Sequence, residues 1–202
     1  MWTKIIKSDS CGLTRHLSYR WVMLVLCIGI GMPACAQQQH GDGVDDVLEH
    51  VPMAVLLTMK AAGVDNGKGW SETAVGAGMS YVLTAAVVYG LKHTVKEWRP
   101  DHSDRRSFPS GHAALAFAGA TALHKEYGHV SPWLSVGGYC VATFTAVDRV
   151  LRDRHHWYDV VAGAAIGVAG SELSYLVTRR VFRRKQVAVA VAANGLNVTV
   201  RW

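Results

Sequence analysis

The sequence predicts an all-α protein, a helical bundle of about five helices (six if an N-terminal segment is retained), followed by a C-terminal β-hairpin. Three observations carry that expectation. An uncharged run over 73–91 is long enough for a core or membrane helix. Gly and Ala fall inside apolar runs rather than in linkers, among them Gly163 and Gly167 at small-xxx-small spacing, the pattern of closely approaching helices. After Gln186 the period turns from helical to alternating around Asn194-Gly195, the strongest two-residue hairpin signal.

The chain has 202 residues, half of them hydrophobic and 18% charged, so it can bury one core and is not a disordered segment. Its first 36 residues read as an export signal: a basic stretch, an apolar run over 21–31, then Ala34-Cys35-Ala36 ahead of Gln37. Cleavage after Ala36 is expected, with retention as a first membrane helix the alternative. Cleavage would leave Cys140 alone and allow no intrachain disulfide. The expected organisation is then a signal peptide at 1–36, a helical domain at 37–185 and the hairpin at 186–202.

After a polar, acidic stretch over 37–49, a first helix is expected at about 47–63. The loop Asn66-Gly67-Lys68-Gly69 leads into a second at 71–98, which must stop before Pro100. Ser110 caps a third, running to about Tyr127, and Ser131-Pro132 opens a fourth, to about Val147. The fifth spans 156–182. In the tail, a turn centred on Asn194-Gly195 pairs Val191 with Val198, Val189 with Val200 and Val187 with Trp202.

The net charge of +6 is not a nucleic-acid signal. Half of it lies in the N-terminal 36 residues, and five basic residues cluster at Arg179, Arg180, Arg183, Arg184 and Lys185. No basic stripe interleaved with aromatics exists, so no nucleic-acid partner is expected. The cluster suits anionic lipid or a cytoplasmic face.

Polar chemistry gathers in three places. Lys92, Arg99 and Pro100 stand at and just past the end of the second helix; alone, such a Lys snorkels and such an Arg meets the helix dipole. Phe108-Pro109-Ser110-Gly111-His112 lies at a loop-to-helix junction. Backbone N–H groups there favour an anion, Gly111 admits a close ligand, Ser110 adds a hydroxyl, and His112 could exchange a proton beside it. A capped helix with a surface His accounts for that stretch equally well. The third is Arg149-x5-His155-x3-Asp159. A carboxylate four residues after a His can hold one ring nitrogen so that the other presents its lone pair, and Arg149 offers a fork for a tetrahedral oxyanion. A polar loop that merely caps a helix is the alternative. Helix neighbours point about 100° apart, so His155 and His156 cannot both face Asp159 equally. No HExxH or CxxC site is present, and no cofactor is expected.

In order and spacing, Lys92-x6-Arg99-Pro100, Pro109-Ser110-Gly111-His112 and Arg149-x5-His155-x3-Asp159 resemble the signature of the type 2 phosphatidic acid phosphatase and vanadium haloperoxidase superfamily, over about 81–176. The resemblance implies a metal-independent phosphoric ester hydrolase working through a phosphohistidine. His155 would be the nucleophile, Asp159 its orienting carboxylate and His112 the acid and base. Lys92, Arg99, Ser110, Gly111 and Arg149 would hold the phosphate. One position departs: Asp148 stands where the family usually has Ser, and it is expected to pair with the adjacent Arg149.

If the helices span a bilayer, all three motifs fall on one side and the basic cluster falls on the other, as the positive-inside tendency requires. The expected partners are then a membrane and a phosphorylated lipid such as a phosphatidate, a polyprenyl diphosphate or a lipid A phosphate, met at the periplasmic face of a bacterial inner membrane. Lys60, Glu172 and a short first helix stand against spanning. A soluble periplasmic acid phosphatase, a vanadate-dependent haloperoxidase and a nonenzymatic envelope protein are the alternatives. The sequence does not address the oligomeric state.

Overall fold

The computed structural model describes residues 44–184 and the segments 187–192 and 195–200; the expected export signal lies outside them. Six helices form the body: α1 Val44–Leu48, α2 Val51–Ala61, α3 Trp70–Thr94, α4 Gly111–Tyr127, α5 Pro132–Leu151 and α6 Trp157–Arg184. The expected first helix is thus two. Pro52 sits in the first turn of α2, where its ring is tolerated, but one continuous helix would drive that ring into the Leu48 carbonyl.

The alanine-rich stretch of α4 explains the architecture. Ala113, Ala114, Ala116, Ala118, Ala120 and Ala122 are all fully buried, so this helix is covered on every side. It packs against α6, α5, α3 and α2. Small side chains let backbones touch: a Cβ on Gly163 would stand 2.4 Å from the Ser110 carbonyl oxygen, and one on Gly167 would stand 2.2 Å from that of Ala114. The hydroxyl of Ser171 donates to the Ala118 carbonyl across the same seam. The expected small-residue contact is therefore real, and α4 is its partner.

Helix ends shift for identifiable reasons. α3 stops at Thr94, short of the expected Trp98, because the following backbone pairs elsewhere: Glu97 bridges to Arg106, and the Ser107 N–H donates to the Glu97 carbonyl. α5 continues to Leu151, so Asp148 and Arg149 are helical. At the bundle end away from these residues, buried Glu126 takes the Lys68 ammonium at 3.0 Å and also the Asn66 amide. Lys60 donates to Asn66 Oδ1 at 2.7 Å and Glu172 pairs with Lys125. The charges that stood against membrane insertion are thus partnered.

α3 and α6 are long and apolar enough to cross a membrane, and most of each apolar window faces outward from the bundle. Trp70 and Trp133 are exposed where α3 and α5 begin; Trp98 and Trp157 are exposed at the other end, beyond α3 and at the start of α6.

The expected C-terminal hairpin is not supported as part of the fold, which is all-α. No strand occurs among residues 44–184. Beyond them, Val187–Ala192 and Gly195–Val200 pair, among the described residues, only with each other, and Val187 stands opposite Val200 instead of Trp202. A two-residue slip leaves the same side chains on the same face, so alternation could not fix this register. A lone pair of strands is marginal by itself.

Candidate active site

Four helix ends meet at one end of the bundle: the last turns of α3 and α5 and the first turns of α4 and α6. Between them lies a cavity of about 270 Å³ lined by Lys92, Arg99, Gly111, His112, Arg149 and His155, with Leu115 and Glu49 completing the wall. Six of the eight residues singled out in the sequence therefore share one space. Ser110 and Asp159 are fully buried behind it.

Backbone contacts join the motifs. The Ser110 N–H donates to the Asp159 carbonyl at 3.0 Å, and Ser110 Oγ accepts from the Ala113 N–H as the cap of α4. Its hydroxyl is engaged with the helix. Lys92 Nζ donates to the Arg106 carbonyl at 2.8 Å, and Arg99 Nε donates to Asp104 Oδ1 at 2.8 Å. The loop between α3 and α4 thereby fixes both cations toward the cavity side.

His155 and His156 precede α6 instead of lying on it. Freed from helical spacing, both Nδ1 atoms approach the same oxygen, Asp159 Oδ2, at 3.7 and 3.4 Å. That oxygen already accepts from the Ser107 hydroxyl and the His156 N–H. Asp159 is therefore held by two donors while facing His155 Nδ1 beyond hydrogen-bond length. Burial, with Lys92, Arg99 and Arg149 nearby, pushes the His155 pKa down to about 3. The ring is neutral at ordinary pH, with a lone pair available.

α1 brings two carboxylates of the acidic stretch to the site, Asp45 and Asp46, and the residue after it, Glu49, brings a third. Asp45, fully buried, pairs with both Arg149 and Arg152. Burial is the largest single influence and opposes its charge, but the hydrogen bond from Arg149, a backbone hydrogen bond and the charges of Arg149 and Arg152 together outweigh it and hold its pKa below the usual carboxylate range. Asp46 Oδ1 lies 2.6 Å from His112 Nε2. Glu49 follows α1 on the cavity wall, and burial together with the Asp46 charge pushes it up to about 7. The expected pairing of Asp148 with Arg149 does not occur: Asp148 faces Arg152 at 3.7 Å, one helical turn on.

Glu97, His156 and Asp159 bring one potential metal donor each within 4.8 Å of one another. The Tyr158 hydroxyl donates to Glu97, while Asp159 serves Ser107 and the His156 N–H. Among the described residues, His156 Nδ1 and Asp159 Oδ1 of this grouping are buried without a hydrogen-bond partner.

The PAP2 superfamily profile matches residues 73–183, more than half the chain. A lipid A 1-phosphatase of Porphyromonas gingivalis is 40% identical over 141 residues, 69% of this chain and 32% of the relative. A probable lipid phosphate phosphatase 4 of Arabidopsis thaliana is 35% identical over 45% of this chain and 31% of its own length. The chain thus spans about a third of the curated relatives it matches. The crystal structure of Aquifex aeolicus LpxE superposes with a TM-score of 0.51 at 21% identity, covering 75% of this chain and 93% of that one, and so shares the fold. Matched region, bundle and ordered motifs agree: the chain belongs to the PAP2 superfamily.

Proposed function

We propose that this protein is a phosphatase of lipid or related phosphoesters and diphosphates, working through a phosphohistidine at the exported face of a membrane. The observation that carries the reading is one cavity walled by Lys92, Arg99 and Arg149 together with two imidazoles. Three fixed cations suit the nonbridging oxygens of a phosphoryl group and the charge that grows on them in transfer. No step in this chemistry requires a metal.

His155 Nε2 attacks phosphorus in line: the P–N bond forms as the P–O bond to the ester breaks, and the departing oxygen takes a proton from His112. Water then attacks the phosphohistidine, gives its proton to His112, and the P–N bond breaks to release phosphate. Asp159 faces the His155 Nδ1 side and stabilises the charge that the ring acquires. The lipid A 1-phosphatase and lipid phosphate phosphatase relatives support a lipid substrate. The outward apolar faces of α3 and α6 support a membrane setting. Arg179 and Arg180, at the end of α6 away from the cavity, support an exported orientation of the site.

The test is phosphate release from phosphatidate, a polyprenyl diphosphate, lipid A and p-nitrophenyl phosphate by wild type, His155→Ala and His112→Ala. Wild type should act on at least one lipid, with His112→Ala at least about a hundredfold slower on it. Equal background release by all three proteins would remove the reading. A smaller effect is expected for Ser107→Ala: about a tenfold loss of kcat/KM, near the low end for a hydrogen bond to a charged group (~1.5 kcal/mol), because Asp159 keeps the His156 N–H.

A further inference from the structure

We propose that Asp46 is a positioning residue for the proton-transferring His112, a carboxylate supplied by α1 from outside the three motifs. The proposal rests on the phosphatase reading and adds to it the origin of the acid's charge and tautomer.

His112 has an electrostatic difficulty. It is the second residue of α4, at the positive end of that helix's dipole, and it shares its cavity with Lys92, Arg99 and Arg149. All of these oppose a protonated imidazole, yet a group that protonates a leaving alkoxide must carry that proton. Among the described contacts, Asp46 supplies the compensating charge, with Oδ1 at 2.6 Å from Nε2. The contact also fixes the tautomer: Nε2–H points to the carboxylate, so Nδ1 is the nitrogen left to exchange a proton with a bound ester. The neighbouring Asp45, fully buried on Arg149 and Arg152, anchors α1 in place. The Asp46 side chain is half exposed, so it does not serve to fill the core.

Asp45 lies on the substrate-binding Arg149, whereas the Asp46 contact is to the His112 ring. A carboxylate that only competed with the substrate's negative charge would make Asp46→Asn more active, the opposite sign to the positioning role.

The experiment compares kcat/KM of wild type, Asp46→Asn and Asp46→Glu on phosphatidate and on p-nitrophenyl phosphate. The latter has a leaving group that needs little protonation, and kcat/KM reports only the steps through its departure. Asp46→Asn should lose about tenfold on phosphatidate, in kcat with KM unchanged, and less than about twofold on p-nitrophenyl phosphate, part of the roughly hundredfold worth of a positioned acid. Asp46→Glu should recover part of the loss. A rise in activity, an equal loss on both esters or no change on either would overturn the proposal. If folded wild type turns over none of phosphatidate, a polyprenyl diphosphate, lipid A and p-nitrophenyl phosphate, the phosphatase reading fails and this proposal falls with it, an outcome distinct from an active wild type with an indifferent Asp46→Asn. If another lipid of the four replaces phosphatidate as substrate, the same comparison is made on that lipid.

Discussion

His155→Ala is expected to reduce turnover of a lipid phosphoester by roughly three orders of magnitude or more, the scale seen when a covalent nucleophile is removed. The ring is buried to 2% exposure, and the neutral state that burial, Lys92, Arg99 and Arg149 impose on it makes the loss specific to its lone pair. Rapid acid quench with a ³²P-labelled substrate should trap labelled protein in wild type and none in the variant. The depressed pKa of His155 carries a further expectation. Acidification from neutrality to about pH 4 should leave the substrate-free ring unprotonated, since its transition lies lower, near 3. Any activity loss in that interval belongs to other groups. Retention of more than a tenth of the wild-type rate by His155→Ala would exclude it as nucleophile.

Gly167→Ala is expected to cost about 3 kcal/mol of stability or more, at the upper end for overpacking. The added methyl would meet the Ala114 carbonyl oxygen at 2.2 Å and the Ala118 nitrogen at 3.0 Å. These are backbone atoms of the central helix, with no flexible side chain to yield. α6 must then move off α4, and the Ser110–Asp159 backbone bond lies along that seam. Activity should fall together with stability. For a chain of this size the unfolding midpoint in detergent should drop by about 6–12 °C. Gly78→Ala is the control, since nothing lies within 4 Å of its built Cβ. Equal midpoints for the two variants would show that the α4–α6 contact is looser than described.

The chemistry was legible in the sequence where it is local. Lys92, Ser110 with Gly111 and His112, and Arg149 with His155 each sit at a helix end that punctuation residues announce, and the bundle brings those ends together. What was not legible depends on distance or on backbone detail. Asp45 reaches Arg149 across 104 positions and Asp46 reaches His112 across 66; no spacing rule spans such gaps, and an acidic run most often means a solvated face. Ser107 lies two residues before a motif, with nothing in its identity to mark the bond to Asp159. Pro52 marks the split of the first helix, since its ring cannot follow a helical Leu48. The shared approach of His155 and His156 to Asp159 is not legible because it depends on α6 beginning at Trp157, which leaves both rings off helical spacing.

The four exposed indoles among the described residues define two levels on the bundle, Trp70 with Trp133 and Trp98 with Trp157. Indoles settle at the boundary between hydrocarbon and water, and the cavity lined by Lys92, Arg99 and Arg149 lies at the end of the bundle that carries the second pair. In the proposed bilayer setting, a lipid arriving sideways would keep its tails submerged and lift only its headgroup into reach. Dephosphorylation would then proceed without extraction from the leaflet: the trimmed lipid diffuses away laterally, and orthophosphate alone departs into the aqueous phase.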